Sequence, residues 1–309
     1  MWVGIENPCS ACCLQQVAPP RTGPLCYRSD RDLQTGMTLR HTASRLAQAF
    51  IEEAAQIPRV RAALNRRYKR EFDVASGQVR IFHGIYPDFS AALRDIPTGR
   101  LEGHDSEAAA LRLADARLRI FPSDYPIMFW LQKLLPACRL LFDLGGGVGI
   151  SYFGYRKFLN YPADMTWLVN ELPAAAALGA RIAREEAGDA LRFTTSLEML
   201  PSADILVAAG SLQLIENPFE LLRSVASLPS HVLINKVPLG NMPAAVTLHN
   251  MGPALCAYHL FNRAQFVAGF HALGYELVDE WAVPDLSARI PYFPEYSLRS
   301  YTGFYWRRR

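Results

Sequence analysis

The sequence LLFDLGGGVGISYF, residues 140–153, decides the fold of this 309-residue chain. Its apolar beginning predicts a buried strand, and its end predicts the first turn of a helix. The junction between them carries four glycines, which are Gly145, Gly146, Gly147 and Gly149. Glycine loses more backbone entropy on folding than any other residue. The run therefore indicates a place where the backbone takes positive φ or approaches a ligand closely.

From residue 139 onward, strand-like runs alternate with helix-like segments. Five runs predict strands, and they read RLLFDLG, MTWLVNEL, LRFTTSL, ADILVAAGSL and HVLINKVPL. A helix, FNRAQFVAGFHALGY, and two more strands, ELVDEWAVP and SYTGFYWRR, follow them. This alternation predicts an α/β fold built on a mostly parallel sheet.

The spacing of the glycines separates two classes of ligand. A dinucleotide fingerprint requires Gly-x-Gly-x-x-Gly, but the sixth position is Ile150 when counted from Gly145 and Tyr152 when counted from Gly147. A nicotinamide oxidoreductase is therefore excluded by the spacing. The pattern that fits is Asp-x-Gly-x-Gly-x-Gly, which begins at Asp143. An acid at that position suits a ligand with a cationic ammonium group.

A second acid ends the next predicted strand. Glu171 lies about 20 residues beyond the glycines, where a carboxylate can accept hydrogen bonds from both hydroxyls of a ribose. The structural alternative is an acid that complements the dipole of the helix opened by Pro173. A ribose combined with an amino-acid ammonium describes S-adenosyl-L-methionine, which is the predicted cofactor.

With these residues in place, the chain resembles the class I S-adenosylmethionine-dependent methyltransferases from Leu140 onward. The resemblance implies a Rossmann-like sheet, mostly parallel, with an antiparallel last strand. The segment LPSADILVAAGSLQLIENP is similar to the fourth-strand segment of that family. By that match, Ser211 and Leu212 are implied to lie beside the cofactor, and Ser196 with Leu197 near its adenine.

A narrower resemblance runs from about residue 81 onward. The phrases FHGIYPDFSAAL, GHDSEAAA, YPIMFWLQKLL, FDLGGGVGISY, WLVNELP and GSLQLIENP follow the order seen in a family of methyltransferases whose members often occur in bacterial polysaccharide gene clusters. This implies methyl transfer to a small-molecule or saccharide acceptor, as O-methylation. The alternative is an inactive methyltransferase-like scaffold, against which the intact glycines and Glu171 argue.

A hydroxyl acceptor needs a general base, and the segment after the fifth strand offers candidates. AVTLHNMGPALCAYHLF, residues 245–261, contains His249 and His259, which titrate near neutral pH. A hydrogen-bonded structural histidine is the alternative for each. Tyr258, Lys236 and Gln213 are further candidates for the pocket wall. The Gly-Pro pair in the segment indicates that it is partly a loop.

The organisation predicted for the whole chain has three parts. Residues 1–36 are expected to form a weakly ordered tail, residues 37–138 a helical cap that shapes the acceptor site, and residues 139–309 the cofactor-binding domain. Four early cysteines permit a zinc site, but they lack a second half-site at finger spacing, so no metal is predicted. These are Cys9, Cys12, Cys13 and Cys26.

Composition limits the partners. The net charge of +3 is too small to indicate nucleic-acid binding, and no apolar run reaches the roughly 18 residues of a membrane span. No secretory leader is recognisable, so a cytoplasmic location is expected. Three aromatic residues on the helix after the glycines are expected to pack in the core rather than stack on substrate. They are Tyr152, Phe153 and Tyr155.

Overall fold

The structure, a computed structural model, describes residues 53–74, 81–103, 105–252 and 254–309. The predicted tail, residues 1–36, and its four cysteines lie outside the described residues. None of the described helices is long and apolar enough to cross a membrane.

The larger of two sheets has seven strands in the order β11-β12-β7-β6-β3-β4-β5. Strands β5, β4, β3, β6 and β7 are parallel, and β12 is antiparallel to both β7 and β11. The α/β fold with a Rossmann-like sheet and an antiparallel last strand is thereby confirmed. The strands are β3 Leu140–Leu144, β4 Thr166–Asn170, β5 Leu191–Thr194, β6 Ile205–Ala209, β7 His231–Val237, β11 Tyr275–Val283 and β12 Tyr301–Arg308.

Both faces of this sheet are covered, which explains the continuous apolar runs of its central strands. One face packs Leu141, Phe153 and Trp167 into a shared core. The other face buries Phe142 together with Phe304. The helix after the glycines contributes to the first of these cores, so its aromatic residues are buried as predicted.

The described helices of four or more residues number eight, and several have caps readable in the sequence. Ser106 begins the third, where its hydroxyl accepts the backbone N–H of Ala109 at 3.2 Å. Asp105 instead accepts the N–H of Ala174, at the start of another helix, at 2.9 Å. The helices are α1 Pro58–Val74, α2 Phe89–Arg94, α3 Glu107–Ala116, α4 Tyr125–Leu134, α5 Ile150–Tyr155, α6 Pro173–Glu186, α7 Pro218–Ser224 and α8 Arg263–Ala272.

A second sheet corrects one expectation from the sequence and refines another. Its path is β1-β9-β10-β2, and β8 pairs with β10 off that path. The region 37–138 is therefore not purely helical. The segment after β7 is mostly a hairpin, and its strands are interrupted at Met251 and Gly252, beside the predicted break. The strands are β1 Phe82–Tyr86, β2 Leu101–Glu102, β8 Leu239–Gly240, β9 Ala245–Asn250 and β10 Ala254–Asn262.

Local features explain why these strands were missed. Gly84 interrupts β1 with a φ of +72°, and the register shifts between His83 and Tyr86, so the stretch FHGIY lacks regular alternation. β9 and β10 are buried on nearly every residue, which removes the alternation expected of a half-exposed strand. The second sheet combines strands from both sides of residue 139.

Candidate functional site

A cavity of about 580 Å³ lies at the carboxyl edge of the larger sheet. The chain passes from β3 to β4 on one side and places β6 on the other, so the strand order reverses beside β3. Ligands of doubly wound sheets bind at such a reversal, and the volume is that of a small-molecule site. Residues that follow β3, β4 and β6 line the cavity, together with a residue near the end of β7. They are Gly145, Gly146, Gly147, Glu171, Gly210, Ser211 and Lys236.

The glycine loop is built for close approach to its neighbours. Gly145 has a φ of +69°, in the left-handed region that favours glycine. A Cβ added there would overlap the Cβ of Ser211. The Ser211 hydroxyl donates to the carbonyl of Leu144 at 2.5 Å, so the end of β6 is held against the end of β3. The loop thus needs glycine at this position for packing within the protein, besides any need of a ligand.

The Glu171 carboxylate ties the glycine loop to the end of β4. Its Oε2 accepts the N–H of Gly147 at 2.9 Å, and its Oε1 accepts the N–H of Leu172 at 2.8 Å. Burial raises the pKa of this carboxyl group, while the two backbone hydrogen bonds oppose the shift. Each oxygen keeps lone-pair capacity, since an ionised carboxylate has about four acceptor positions. The group is therefore fixed in the cavity wall and able to accept further donors.

Asp143 lies beneath the loop rather than in the cavity wall. Its side chain is 0% exposed, and its Oδ2 accepts the indole N–H of Trp167 at 3.0 Å. A Cβ at Gly146 would lie 2.5 Å from the Asp143 carboxyl carbon, so glycine is required there as well. Burial raises the pKa of Asp143 to about 7, with Trp167 opposing and the Glu171 charge adding to the shift. Its Oδ1 has no hydrogen-bond partner among the described residues.

An ion pair between a half-buried lysine and a buried acid also lines the cavity. Lys236 Nζ lies 3.0 Å from Asp124 Oδ1, which also accepts the hydroxyl of Tyr155 at 3.2 Å. The other oxygen of Asp124 accepts the N–H of Phe121 at 2.9 Å. Lys236 holds a φ of +60°, an uncommon conformation for a residue with a side chain. Such strain tends to accumulate at functional sites.

Two acids in this wall escaped the sequence interpretation. Asp124 precedes α4, where an acid reads as an ordinary helix-end residue. Asp285 lies after β11 and accepts the hydroxyl of Ser123 at 2.9 Å. No motif in the sequence marks either of them, and only the tertiary fold brings them to the cavity. For Asp285 a signal could have come from β11, because the carboxyl end of β11 meets the same edge of the sheet as that of β7.

The predicted site residues divide into two groups. Those that line the cavity are Gly145, Gly146, Gly147, Glu171 and Ser211, with Gln213, Lys236 and Tyr258 among the further candidates.

The remaining predicted residues lie behind the wall. Leu212 is buried in the core of the sheet's second face. Ser196 lies next to the lining residue Thr195, and its carbonyl accepts the side-chain N–H of Asn170 at 3.2 Å. Gly149 supports the start of α5, where a Cβ would lie 3.0 Å from Leu191. Asp143 is buried as described above.

Neither candidate histidine lines the cavity. The His249 ring is buried between Phe82 and Tyr258, with centroid distances of 4.9 and 5.0 Å. His259 Nε2 lies 2.8 Å from the carbonyl oxygen of Glu216, and burial lowers the pKa of this imidazole. Tyr258 does line the cavity, and its hydroxyl bonds to that of Tyr301 at 3.1 Å.

In the part of the chain that the structure describes, no group of three or more His, Cys, Asp or Glu side chains is arranged to hold a metal ion. The early cysteines lie outside that part.

No protein-family profile matches the chain, and no curated protein matches it. Solved structures of similar shape include the 1,6-didemethyltoxoflavin-N1-methyltransferase of Burkholderia thailandensis with bound 1,6-didemethyltoxoflavin and S-adenosylhomocysteine. It is 18% identical, covers 69% of this chain and 93% of its own, and gives a TM-score of 0.43.

Two further structures are comparable. The magnesium protoporphyrin IX methyltransferase of Synechocystis PCC 6803, with bound S-adenosylhomocysteine, is 16% identical over 60% of this chain and 81% of its own, with a TM-score of 0.42. A methyltransferase of Aquifex aeolicus is 11% identical over 65% of this chain and 97% of its own, with a TM-score of 0.44. At these identities the similarity concerns shape alone, and the fold class follows from the strand order itself.

Proposed function

We propose that the protein is an S-adenosyl-L-methionine-dependent methyltransferase that acts on a small-molecule or saccharide acceptor by O-methylation. One observation carries the proposal. The glycine loop after β3 and the carboxylate after β4 meet in one cavity at the strand-order reversal, joined by the 2.9 Å hydrogen bond from Gly147 to Glu171. A glycine loop next to a carboxylate that accepts hydrogen bonds suits a ligand that combines a ribose with an amino-acid end.

The residues present fit this cofactor. Glu171 would accept the ribose hydroxyls, and the loop from Gly145 to Gly147 would admit the amino-acid end without steric conflict. Ser211 lines the same wall, with Leu212 behind it, and Ser196 is assigned to the adenine side next to Thr195. The cofactor supplies an already activated methyl group, so the protein has to bind, align and exclude water.

Asp143 is assigned an indirect role in cofactor binding. Its carboxylate is separated from the cavity by the backbone at Gly146, so we assign it to the cofactor site through the loop that it supports. In its ionised form, Asp143 would add a negative charge under the loop that favours a cationic group above it, although the two need not touch.

The acceptor side is assigned to the second sheet. Cys256, Ala257 and Tyr258 of β10 line the cavity, and His249 and His259 lie on the paired strands around them. We keep these two histidines as candidate general bases for a hydroxyl acceptor. The lowered pKa of His259 favours the neutral imidazole, which is the form a base requires.

Calorimetry with S-adenosylmethionine and its demethylated product tests the cofactor assignment, and we expect binding in the micromolar range. NAD serves as the control ligand. Heat with NAD but with neither adenosyl ligand would overturn the proposal. An acceptor screen with nucleotide sugars and lipid-linked glycans, read by release of S-adenosylhomocysteine, then separates an active transferase from a scaffold that binds the cofactor without turnover.

A further inference from the structure

Two cationic side chains line the cavity among the described residues, Arg119 and Lys236. The lysine is neutralised, because its Nζ lies 3.0 Å from Asp124. Arg119 forms no hydrogen bond or ion pair with any residue that the structure describes. A guanidinium carries five N–H donors and stays charged at any physiological pH. A half-buried one without an acceptor in a ligand cavity therefore indicates an anionic group in the ligand.

Arg119 lines the cavity next to α5, the helix that follows the glycine loop. It belongs to the extended segment between α3 and α4, which passes over α5. A Cβ at Gly154 of α5 would lie 3.3 Å from the carbonyl oxygen of Arg119, so the two backbones are in close contact. The preceding helix α3 reaches the loop itself, since Leu113 Cδ1 would lie 3.3 Å from a Cβ at Gly147. Leu113 thus lies against the loop, and the backbone at Arg119 lies against the end of α5.

The other acidic and basic groups of the wall have partners. Asp124 binds Lys236, Tyr155 and the N–H of Phe121, and Glu171 binds the N–H groups of two residues. An anion that enters the cavity consequently meets one uncommitted cation among the described lining residues. The ligand proposed for the cavity ends in an amino acid, whose carboxylate has the planar geometry that arginine binds in bidentate fashion.

We propose that Arg119 binds the α-carboxylate of the cofactor's amino-acid end. This inference rests on the proposed function and deepens it, because it assigns the carboxylate to a residue outside the glycine motif. Arg119 is thereby a cofactor-binding residue on the segment before β3, and the loop between α3 and α4 becomes part of the cofactor site. An anionic group on the acceptor is the competing occupant, and the experiment separates the two.

The test is a thermodynamic cycle measured by calorimetry. The two ligands are S-adenosylmethionine and decarboxylated S-adenosylmethionine, which differ by the carboxylate alone. The two proteins are the wild type and Arg119→Met, a change that keeps an aliphatic stem of similar length. Arg139→Met serves as the matched control, because Arg139 is exposed, pairs with Asp164 and precedes β3 at the opposite edge of the sheet.

We expect Arg119→Met to lower the affinity for S-adenosylmethionine by about 10- to 100-fold, the range for a charge-assisted hydrogen bond. The decarboxylated ligand should bind both proteins equally, and Arg139→Met should change neither affinity. The non-additivity of the two changes measures the contact itself. If Arg119→Met does not fold, as judged by circular dichroism, Arg119→Lys retains the charge and should weaken S-adenosylmethionine without affecting the decarboxylated ligand.

The outcomes distinguish this inference from the proposed function. If neither ligand binds the wild type, the cofactor assignment fails and the inference fails with it. The inference alone is overturned if S-adenosylmethionine binds the wild type and Arg119→Met equally well. It is also overturned if Arg119→Met lowers the affinity for both ligands by the same factor. The first of those two results would show that Arg119 does not bind the cofactor.

Discussion

The Glu171 carboxylate is the residue on which the cofactor assignment depends most directly. Glu171→Ala removes the acceptor for the ribose together with the hydrogen bond to Gly147. We expect cofactor binding to weaken by about 1.5–3 kcal/mol, as is usual for hydrogen bonds to a charged group. Calorimetry with S-adenosylhomocysteine measures it, and Glu185→Ala on the exposed face of α6 is the control. Unchanged affinity in a folded Glu171→Ala variant would leave Glu171 as a helix-end acid.

Asp143 makes a prediction about stability and pH. Its pKa of about 7 in the folded protein lies above the ordinary value near 4, so folding takes up a proton between those limits. The contribution of Asp143 to the free energy of unfolding therefore falls as the pH rises from about 4 to about 7, and stays low above that. Asp143→Asn cannot ionise but still offers an acceptor to Trp167.

The gain in melting temperature from Asp143→Asn should be larger at pH 8 than at pH 5, by several degrees. Thermal unfolding of both proteins at the two pH values measures the difference. An identical effect of the substitution at pH 5 and pH 8 would show that Asp143 keeps an ordinary pKa.

The sequence predicted single residues well where a backbone requirement singled them out. Gly145 shows this, because its positive φ and its contact with Ser211 leave no room for a side chain. Asp124 shows the opposite case. Its partners Lys236 and Tyr155 lie far along the chain, and nothing near Asp124 in the sequence encodes their proximity. The general base also stays a prediction, since neither histidine lines the cavity.

At the scale of elements, a substitution in the glycine loop should abolish cofactor binding and still allow the protein to fold. A Cβ at Gly147 would meet only side chains, those of Ile150 and Leu113, at 3.2 and 3.3 Å, and these can shift. Gly147→Val should therefore leave a folded protein, at a backbone cost of about 1–2 kcal/mol for its φ of +61°. Its side chain would fill the space of the amino-acid end and abolish cofactor binding.

Gly188→Val is the matched control for this loop variant. Gly188 has a φ of +60° but no neighbour near an added Cβ, and it lies in an exposed turn before β5. It should carry the same backbone cost while leaving calorimetric affinity for S-adenosylhomocysteine unchanged. Wild-type affinity in Gly147→Val would mean that the ligand does not approach the loop.

The hairpin of β9 and β10 carries the prediction about the general base. His249→Ala or His259→Ala should lower turnover on the identified acceptor by about 10²- to 10⁴-fold, the usual loss for such a group. Cofactor affinity should be nearly intact, because the cofactor is assigned to the glycine loop and Glu171, whereas both histidines belong to β9 and β10. Steady-state kinetics and calorimetry on the same variants provide both numbers. If both variants turn over at the wild-type rate, the base lies elsewhere or the acceptor needs none.

The hairpin also shows why elements of the second sheet were harder to predict than those of the first. Most strands of the larger sheet alternate with helices, and this alternation is visible in the sequence. β1 instead pairs with β9, and β2 with β10, across more than 150 residues, with Phe82 opposite His249. Each strand is short, irregular or buried on both faces, so its regularity comes from its pairing partners rather than from its own sequence pattern.

At the scale of the whole molecule, the cavity depends on both sheets and on the helices before β3. Its lining runs from Phe89 to Tyr301, and all of it lies well beyond residue 36. Asp105 holds the start of α6, and Ser123 contacts both Asn235 and Asp285, so the region before β3 is bound to the sheet at several points. A deletion inside residues 81–138 would consequently disrupt the site.

Deletion of residues 1–36 should behave differently, because none of the lining residues is removed. We expect the shortened protein to unfold at nearly the same temperature as the full chain. A ligand that binds only the folded state at 100 times its Kd adds about 2.7 kcal/mol to the free energy of unfolding. S-adenosylhomocysteine at that concentration should raise the melting temperature of both proteins by the same several degrees. A markedly lower melting temperature after truncation, a smaller ligand-induced shift, or stoichiometric zinc in the full-length protein would each contradict the interpretation of this segment as a tail, and would give its four cysteines a structural role.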